Sequence, residues 1–265
     1  MRTAFMSFSC PQLDLDEMLA LAKRLGYDGI EPRIEAGHAH GLEMDVASAV
    51  RQQAKEKAID SGIDLCCIAT SRRYADPETT QQHVEDTLRC IDLASDVGAP
   101  CIRVFGGAIP DGVARDKAID LVASALASVA DYAQDRGVRV CMETHDDWCN
   151  PDHVAAVMRA VDHPAIAVNW DVMHPVRAAG WTVDDSFQVL KPWIRHLHIH
   201  DGIETGGKLV MLPMGEGIVD TRRAVELLPS IDYQGYLSGE WINWEPYEVH
   251  LPRELATLKQ YETGT

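Results

Sequence analysis

Short runs rich in apolar and β-branched residues recur along the chain at 3–8, 29–32, 64–69, 101–105, 138–143, 165–171, 194–200 and 235–240 and read as strands. Between them, apolar residues return every three or four positions, the period of a helix with one buried face. Leu15, Met18, Leu19, Ala22 and Leu25 mark the first such face; Val84, Leu88 and Ile91 mark another, and Leu121, Val122, Ala125, Leu126 and Val129 a third. Asp14 or Asp16 is placed to cap the first helix, while Gly26, Gly62, Gly98 and Gly137 stand just past predicted helix ends. Eight strands alternating with helices, with no Pro/Gly/Ser linker between them, predict an α/β fold: a single (β/α)₈ barrel spanning 1–265 as one domain. A doubly wound open sheet competes, but no GxGxxG follows the first strand.

Composition narrows the function. The 265 residues suit one barrel of about 250 residues. Lysine and arginine number 24 against 41 aspartate and glutamate, a formal charge of −17, which argues against tracking a nucleic-acid backbone. No apolar run approaches the roughly 20 residues of a membrane span. The start, MRTAFMSFSCP, lacks a basic-then-apolar leader, so a cytoplasmic protein with no membrane partner is expected. The seven cysteines are odd in number, show no CxxC and sit mostly in apolar runs, so they read as structural thiols.

The informative polar residues fall at strand ends. Glu143, Asp171, His198 and Glu240 end four successive strands, 28, 27 and 42 residues apart. The first two gaps match one βα unit of roughly 31 residues; the third leaves excess for a loop in the glycine-rich stretch 201–217. Strand alternation puts all four in the phase facing the barrel axis: Glu143 with Cys141, Asp171 with Asn169 and Ala167, His198 with His196 and His200, Glu240 with Ser238. Three carboxylates buried together repel, and a divalent cation resolves the conflict. Oxygen donors with one imidazole suit Mn²⁺ first, with Mg²⁺, Co²⁺ or Zn²⁺ as alternatives. The competing explanation is four ordinary strand-end polar residues held in salt bridges.

The segments GYDGIEPR (26–33), METH (142–145), WDVMHP (170–175), HLHIHD (196–201), GEG (215–217) and GYLSGEW (235–241) together resemble the sugar phosphate isomerase/epimerase branch of the xylose isomerase-like TIM-barrel superfamily, over nearly the whole chain. The resemblance implies that Glu143, Asp171, His198 and Glu240 are metal ligands, that Glu143 and Glu240 double as the catalytic acid/base pair, and that His174 contacts substrate. His200 stands where the pattern often has lysine, and no arginine follows near Glu204 as in epimerases of free ketoses. The apurinic-site endonucleases of the superfamily need further histidines on earlier strands; LCCIATSRR and CIRVFGG supply none.

The implied activity is a divalent-metal-dependent isomerase or epimerase of a keto-sugar, keto-inositol or related polyol, acting through a metal-stabilised enediolate. A dehydratase or lyase on the same site is the alternative, and a non-catalytic sugar-binding barrel a second. Further candidate substrate contacts are Arg33, His38 and His40 after the second strand, His145, Asp147 and Trp148 after the fifth, and His200. Trp148 would offer a sugar ring a stacking face or cover the core. His196 reads as an interior hydrogen bonder, and Gly106–Gly107 as a tight turn rather than a phosphate cradle. Trp241, Trp244 and Tyr247 would close the mouth or form a subunit contact. The expected partner is a small carbohydrate; a homo-oligomer stays open.

Overall fold

The computed structural model describes residues 1–263. The strands are β1 (Arg2–Met6), β2 (Gly29–Glu31), β3 (Asp64–Leu65), β4 (Ile68–Ala69), β5 (Cys101–Val104), β6 (Arg139–Glu143), β7 (Ile166–Asp171), β8 (Ile194–Ile199), β9 (Asp201–Thr205), β10 (Lys208–Leu212) and β11 (Tyr236–Gly239). All but β9 and β10 pair in parallel in the order β3-β2-β1-β11-β8-β7-β6-β5-β4. Because β3 and β4 are successive pieces of one chain segment, the two ends of that order meet and the barrel closes. Helices α1 (Leu15–Leu25), α2 (Ser48–Ser61), α3 (Thr80–Val97), α4 (Arg115–Asp135), α5 (Pro151–Val161), α6 (Met173–Ala179), α7 (Val183–Leu190), α8 (Thr221–Leu227) and α9 (Tyr247–Thr263) lie between and after the strands. None is long and apolar enough to cross a membrane.

Local chemistry sets the element ends. Asp14, not Asp16, caps α1: its carboxylate accepts the Glu17 amide while the Glu17 side chain accepts the Asp14 amide. Gly26, Gly62 and Gly98 close their helices in the left-handed conformation. The strand expected at 3–8 stops at Met6, where a short 3₁₀ turn over Ser7–Ser9 begins. The one expected at 64–69 breaks at Cys66–Cys67, and its two halves bond to different neighbours, β2 and β5.

The stretch 201–217, expected as loop, holds the antiparallel hairpin β9–β10. Gly206 and Gly207 both have positive φ (59° and 75°), the geometry that a two-residue hairpin turn requires. The Asp201 carboxylate fixes the base of this excursion, accepting the amides of Gly202, Gly215, Gly217 and Val219 at 2.8–3.0 Å.

Two apolar layers hold the barrel. Outward residues such as Val140, Met142, Val168, Trp170, Leu197 and Leu237 pack under the helices. The lower interior is filled by Ala4, Cys66, Cys67, Cys101, Cys141, Ala167 and Tyr236. All seven cysteines are free and buried, as structural thiols should be.

Beside the mouth, Gly106 is a position where absence of a side chain matters. A Cβ there would stand 2.3 Å from the Trp148 indole. Gly106→Ala should therefore destabilise the fold by about 1–3 kcal/mol in urea denaturation; an unchanged midpoint would show that the Trp148 packing has room to yield.

Candidate metal centre and active site

Above the thiol layer the barrel interior turns polar. Glu31 on β2 accepts Nε2–H of His196 at 2.8 Å and the Ser238 hydroxyl at 2.6 Å through Oε2. Its other oxygen lies 3.1 Å from Nε2 of His198. The opposite edge of that ring, Nδ1, is 2.9 Å from Glu143 Oε1 and 3.3 Å from Glu240 Oε2. Arg103 on β5 places Nε 3.1 Å from Glu143 Oε2, donates from Nη1 to the Thr70 carbonyl at 2.8 Å, and stacks 4.1 Å from the Phe105 ring centroid.

Asp171 is oriented by the start of α6. Its Oδ1 accepts the amides of Met173 and His174 at 2.8 and 3.2 Å. Oδ2 is thereby left to face His200 Nε2 at 2.9 Å and His174 Nε2 at 3.8 Å.

Glu143, Asp171, His198 and Glu240 each present one donor atom such that all four lie within 4.8 Å of one another, and all four residues are buried. Burial lowers the basicity of His198, but Glu31, Glu240 and Glu143 override it and hold the ring well above its ordinary pKa. Burial raises Glu240, and His198 wins to hold its carboxyl at about 2. Glu31 resists burial in the same way through His198 and His196 and stays well below the usual carboxylate range. Arg103, pushed down by burial, is carried above its ordinary value by Glu143.

This donor set fits a divalent ion. Three oxygens and one nitrogen converge, and Glu31 occupies Nε2 of His198, so Nδ1 is the atom left to face a cation. A carboxylate behind a ligating imidazole fixes the tautomer and strengthens the ligand.

The remaining expected site residues separate into two groups. His145, His174 and His200 gather at the mouth: ring centroids of His145 and His174 are 4.4 Å apart, those of His174 and His200 6.0 Å. Burial opposes the charge on His145, but its 2.7 Å bond to Asp146 and the nearby carboxylates raise it to about 9. Arg33 instead donates to the Ile34 carbonyl and the Ser71 hydroxyl; burial lowers it to about 10, Arg103 pushes the same way, and Glu35 and Glu240 oppose.

The second group builds loops. His40 donates from Nε2 to the Arg33 carbonyl at 3.1 Å and accepts the Leu42 amide on Nδ1. His38 pairs with Ser7 Oγ at 2.8 Å, and Asp147 accepts the Ile109 amide at 2.7 Å. Trp148 corrects the stacking expectation: it is fully buried, its indole N–H donates to the Gly107 carbonyl at 2.8 Å, and its ring lies against Gly106. Trp148 covers the core and locks the turn after β5. His196 is the interior hydrogen bonder expected.

Glu31, Arg103 and Asp201 were not assigned roles from sequence. The signal for the first two was available: each shares the inward phase of its strand, yet Glu31 lies within GYDGIEPR and Arg103 in an otherwise apolar run, without a neighbouring motif residue to draw attention. Asp201 ends HLHIHD, but its partners lie up to 18 residues downstream.

The chain belongs to the xylose isomerase-like TIM barrel family, whose model matches residues 19–261. Its curated relatives are enzymes of more than one reaction type. It is 23% identical to a 3-dehydroshikimate dehydratase of Bacillus anthracis, over 96% of this chain and 94% of the relative. It is 26% identical to the L-ribulose-5-phosphate 3-epimerase UlaE of Salmonella paratyphi B, over 85% and 81%. Among solved structures, the IolI protein with a bound zinc atom superposes with a TM-score of 0.81 at 16% identity, covering 100% of this chain and 97% of that one. A xylose isomerase-like TIM barrel protein from Mycobacterium smegmatis in complex with magnesium superposes at 0.76 with 18% identity, covering 99% and 96%.

Glu31→Gln keeps the shape but removes the charge behind His198. Its affinity for Mn²⁺, read by titration calorimetry, should fall about 10–100-fold with the fold intact; unchanged affinity would mean that Glu31 is not acting through the imidazole.

Proposed function

We propose that the protein is a divalent-metal-dependent isomerase or epimerase of a keto-sugar, keto-inositol or related polyol. The observation that carries this reading is the convergence of Glu143, Asp171, His198 and Glu240 at the C-terminal ends of β6, β7, β8 and β11, the end where barrels of this kind do chemistry. Mn²⁺ is the first choice for a set dominated by carboxylates, and solved neighbours that hold magnesium and zinc support divalent binding. When bound, the ion would act as a Lewis acid that holds a substrate carbonyl and its neighbouring hydroxyl and takes up negative charge.

The protein's own groups do the rest. Glu143 and Glu240 approach His198 Nδ1 from strands separated by β7 and β8, so they flank the reacting position from different sides. Glu240, held ionised, is suited to remove a proton from the carbon between the two oxygens, and Glu143 to deliver one, or the reverse. Arg103 fixes the direction of the Glu143 carboxylate. His174, His200, His145 and Arg33 contact the hydroxyls and orient the chain of the substrate. Return of the proton to the opposite face gives epimerisation, and to the neighbouring carbon isomerisation.

A dehydratase is the second reading, favoured by His145. With its pKa raised to about 9 the ring carries a proton near neutral pH and could donate it to a departing hydroxyl. The dehydratase relative matches nearly the full chain.

Three outcomes are expected. Purified protein should hold one divalent ion per chain, lost on Glu143→Gln or His198→Ala without loss of circular dichroism; a metal-free, fully active protein would overturn the proposal. Because His198 is held protonated, a cation on Nδ1 must displace that proton, so affinity should rise with pH and binding should release about one proton. Calorimetry in buffers of different ionisation heat reads this, and pH-independent affinity would contradict it. In D₂O, NMR of candidate keto-sugars should show exchange of one carbon-bound hydrogen with substrate recoverable as an epimer or isomer. Irreversible loss of substrate would select the dehydratase, and tight binding without any exchange a non-catalytic barrel.

A further inference from the structure

A cavity of about 350 Å³ opens at the end of the barrel away from the carboxylate cluster, where β1, β5, β6, β8 and β11 begin. Its size falls in the range of small-molecule sites. Three arginines line it, Arg2, Arg139 and Arg195, together with one acidic residue, Asp232. In a chain of charge −17 this is a local reversal of sign.

Two of the three cations, Arg139 and Arg195, have no carboxylate partner among the described residues. The Arg139 guanidinium makes no hydrogen bond or ion pair with any described residue. Arg195 donates to the carbonyls of Ile194 and Pro192 at 2.7 and 3.1 Å, which satisfies N–H groups and leaves the charge uncompensated. Arg2 is already engaged: it donates to the Tyr236 hydroxyl at 2.8 Å and to the Gln234 carbonyl, and pairs with Asp64 at 3.8 Å. Asp232 is engaged by the Gln234 amide at 2.9 Å.

The field of Arg139 and Arg195 reaches the barrel floor. The Cys141 thiol, pushed up by its bond to Cys101 and by burial, is pulled back by both Arg139 and Arg195. Buried Cys66 and Cys101 form part of the cavity wall, so an occupant would be partly shielded from water.

We propose that this basal cavity binds a small polyanion, a metabolite bearing phosphate or several carboxylates. Guanidinium forks match both groups in bidentate geometry. Arg139 and Arg195 bring two charges against the one carboxylate of the lining, Asp232, and the acidic remainder of the surface disfavours anions elsewhere. The site lies at the opposite end of the barrel from Glu143, Asp171, His198 and Glu240, with His196, which bonds Glu31, in its inner wall, and it stands whether or not the proposed reaction is correct.

Titration calorimetry of the full-length protein with inorganic phosphate and, separately, citrate, at ionic strength matched with sodium chloride, tests it. Saturable one-to-one binding of either probe is expected, and the tighter one identifies the phosphate or the carboxylate class. Arg139→Gln combined with Arg195→Gln should weaken it at least about tenfold. Both side chains are exposed, so the melting temperature should hold. Arg139→Lys should recover part of the affinity, and Glu240→Gln at the other end of the barrel should leave it unchanged. Heats equal to those of chloride, full affinity in the double variant, or loss of binding on Glu240→Gln would each overturn the proposal.

Discussion

Glu31, Glu143, Asp171 and Glu240 meet inside the barrel with at most 6% of any one exposed, and the rest of the site is organised around keeping those charges together. Two carboxylates 4 Å apart at an effective dielectric near 20 repel by about 4 kcal/mol, before the penalty for leaving water is counted. Arg103 and the imidazoles of His196, His198 and His200 each sit within hydrogen-bond or ion-pair distance of one of the four. The balance explains why so many polar side chains share one inward phase. A divalent cation at the centre of Glu143, Asp171, His198 and Glu240, as proposed, would offset the repulsion further.

Geometry is transmitted to this cluster from rigid elements. The first turn of α6 aims Asp171 by taking one of its oxygens, and the Thr70 carbonyl and Phe105 ring set Arg103, which in turn sets Glu143. Asp201 ties the 201–219 excursion back to the end of β8, so an insertion that would otherwise move freely at the mouth starts and ends at fixed points. Trp148, in the segment after β6, does the same for the Gly106–Gly107 turn after β5. The mouth therefore combines a cluster of three histidines with loops whose bases are locked.

Much of this was legible in the sequence, and the parts that were not share a cause. The 3.6 and 2.0 periodicities placed the helices and the inward phase of Glu143, Asp171, His198 and Glu240, because both depend on local backbone geometry alone. The break at Cys66–Cys67 depends on which neighbours each half of the strand meets, and periodicity carries no such information. The Gly206–Gly207 pair carries a local hairpin signal, but glycines are as common in the loop expected over 201–217. Trp148 resembled a sugar platform only because its partner, Gly106, lies 42 residues earlier. Glu31 and Arg103 likewise acquire meaning through contacts with strands distant in sequence, His196 and His198 for the one and Glu143 for the other.

The central claim is that the four strand-end donors form one cation site with His198 turned so that Nδ1 faces the ion. Crystals grown with Mn²⁺ and measured at its absorption edge test it most directly. One strong anomalous peak is predicted within coordination distance of Glu143, Asp171, Nδ1 of His198 and Glu240, with Nε2 still on Glu31. A peak elsewhere, or no peak with these side chains ordered as described, would contradict the account.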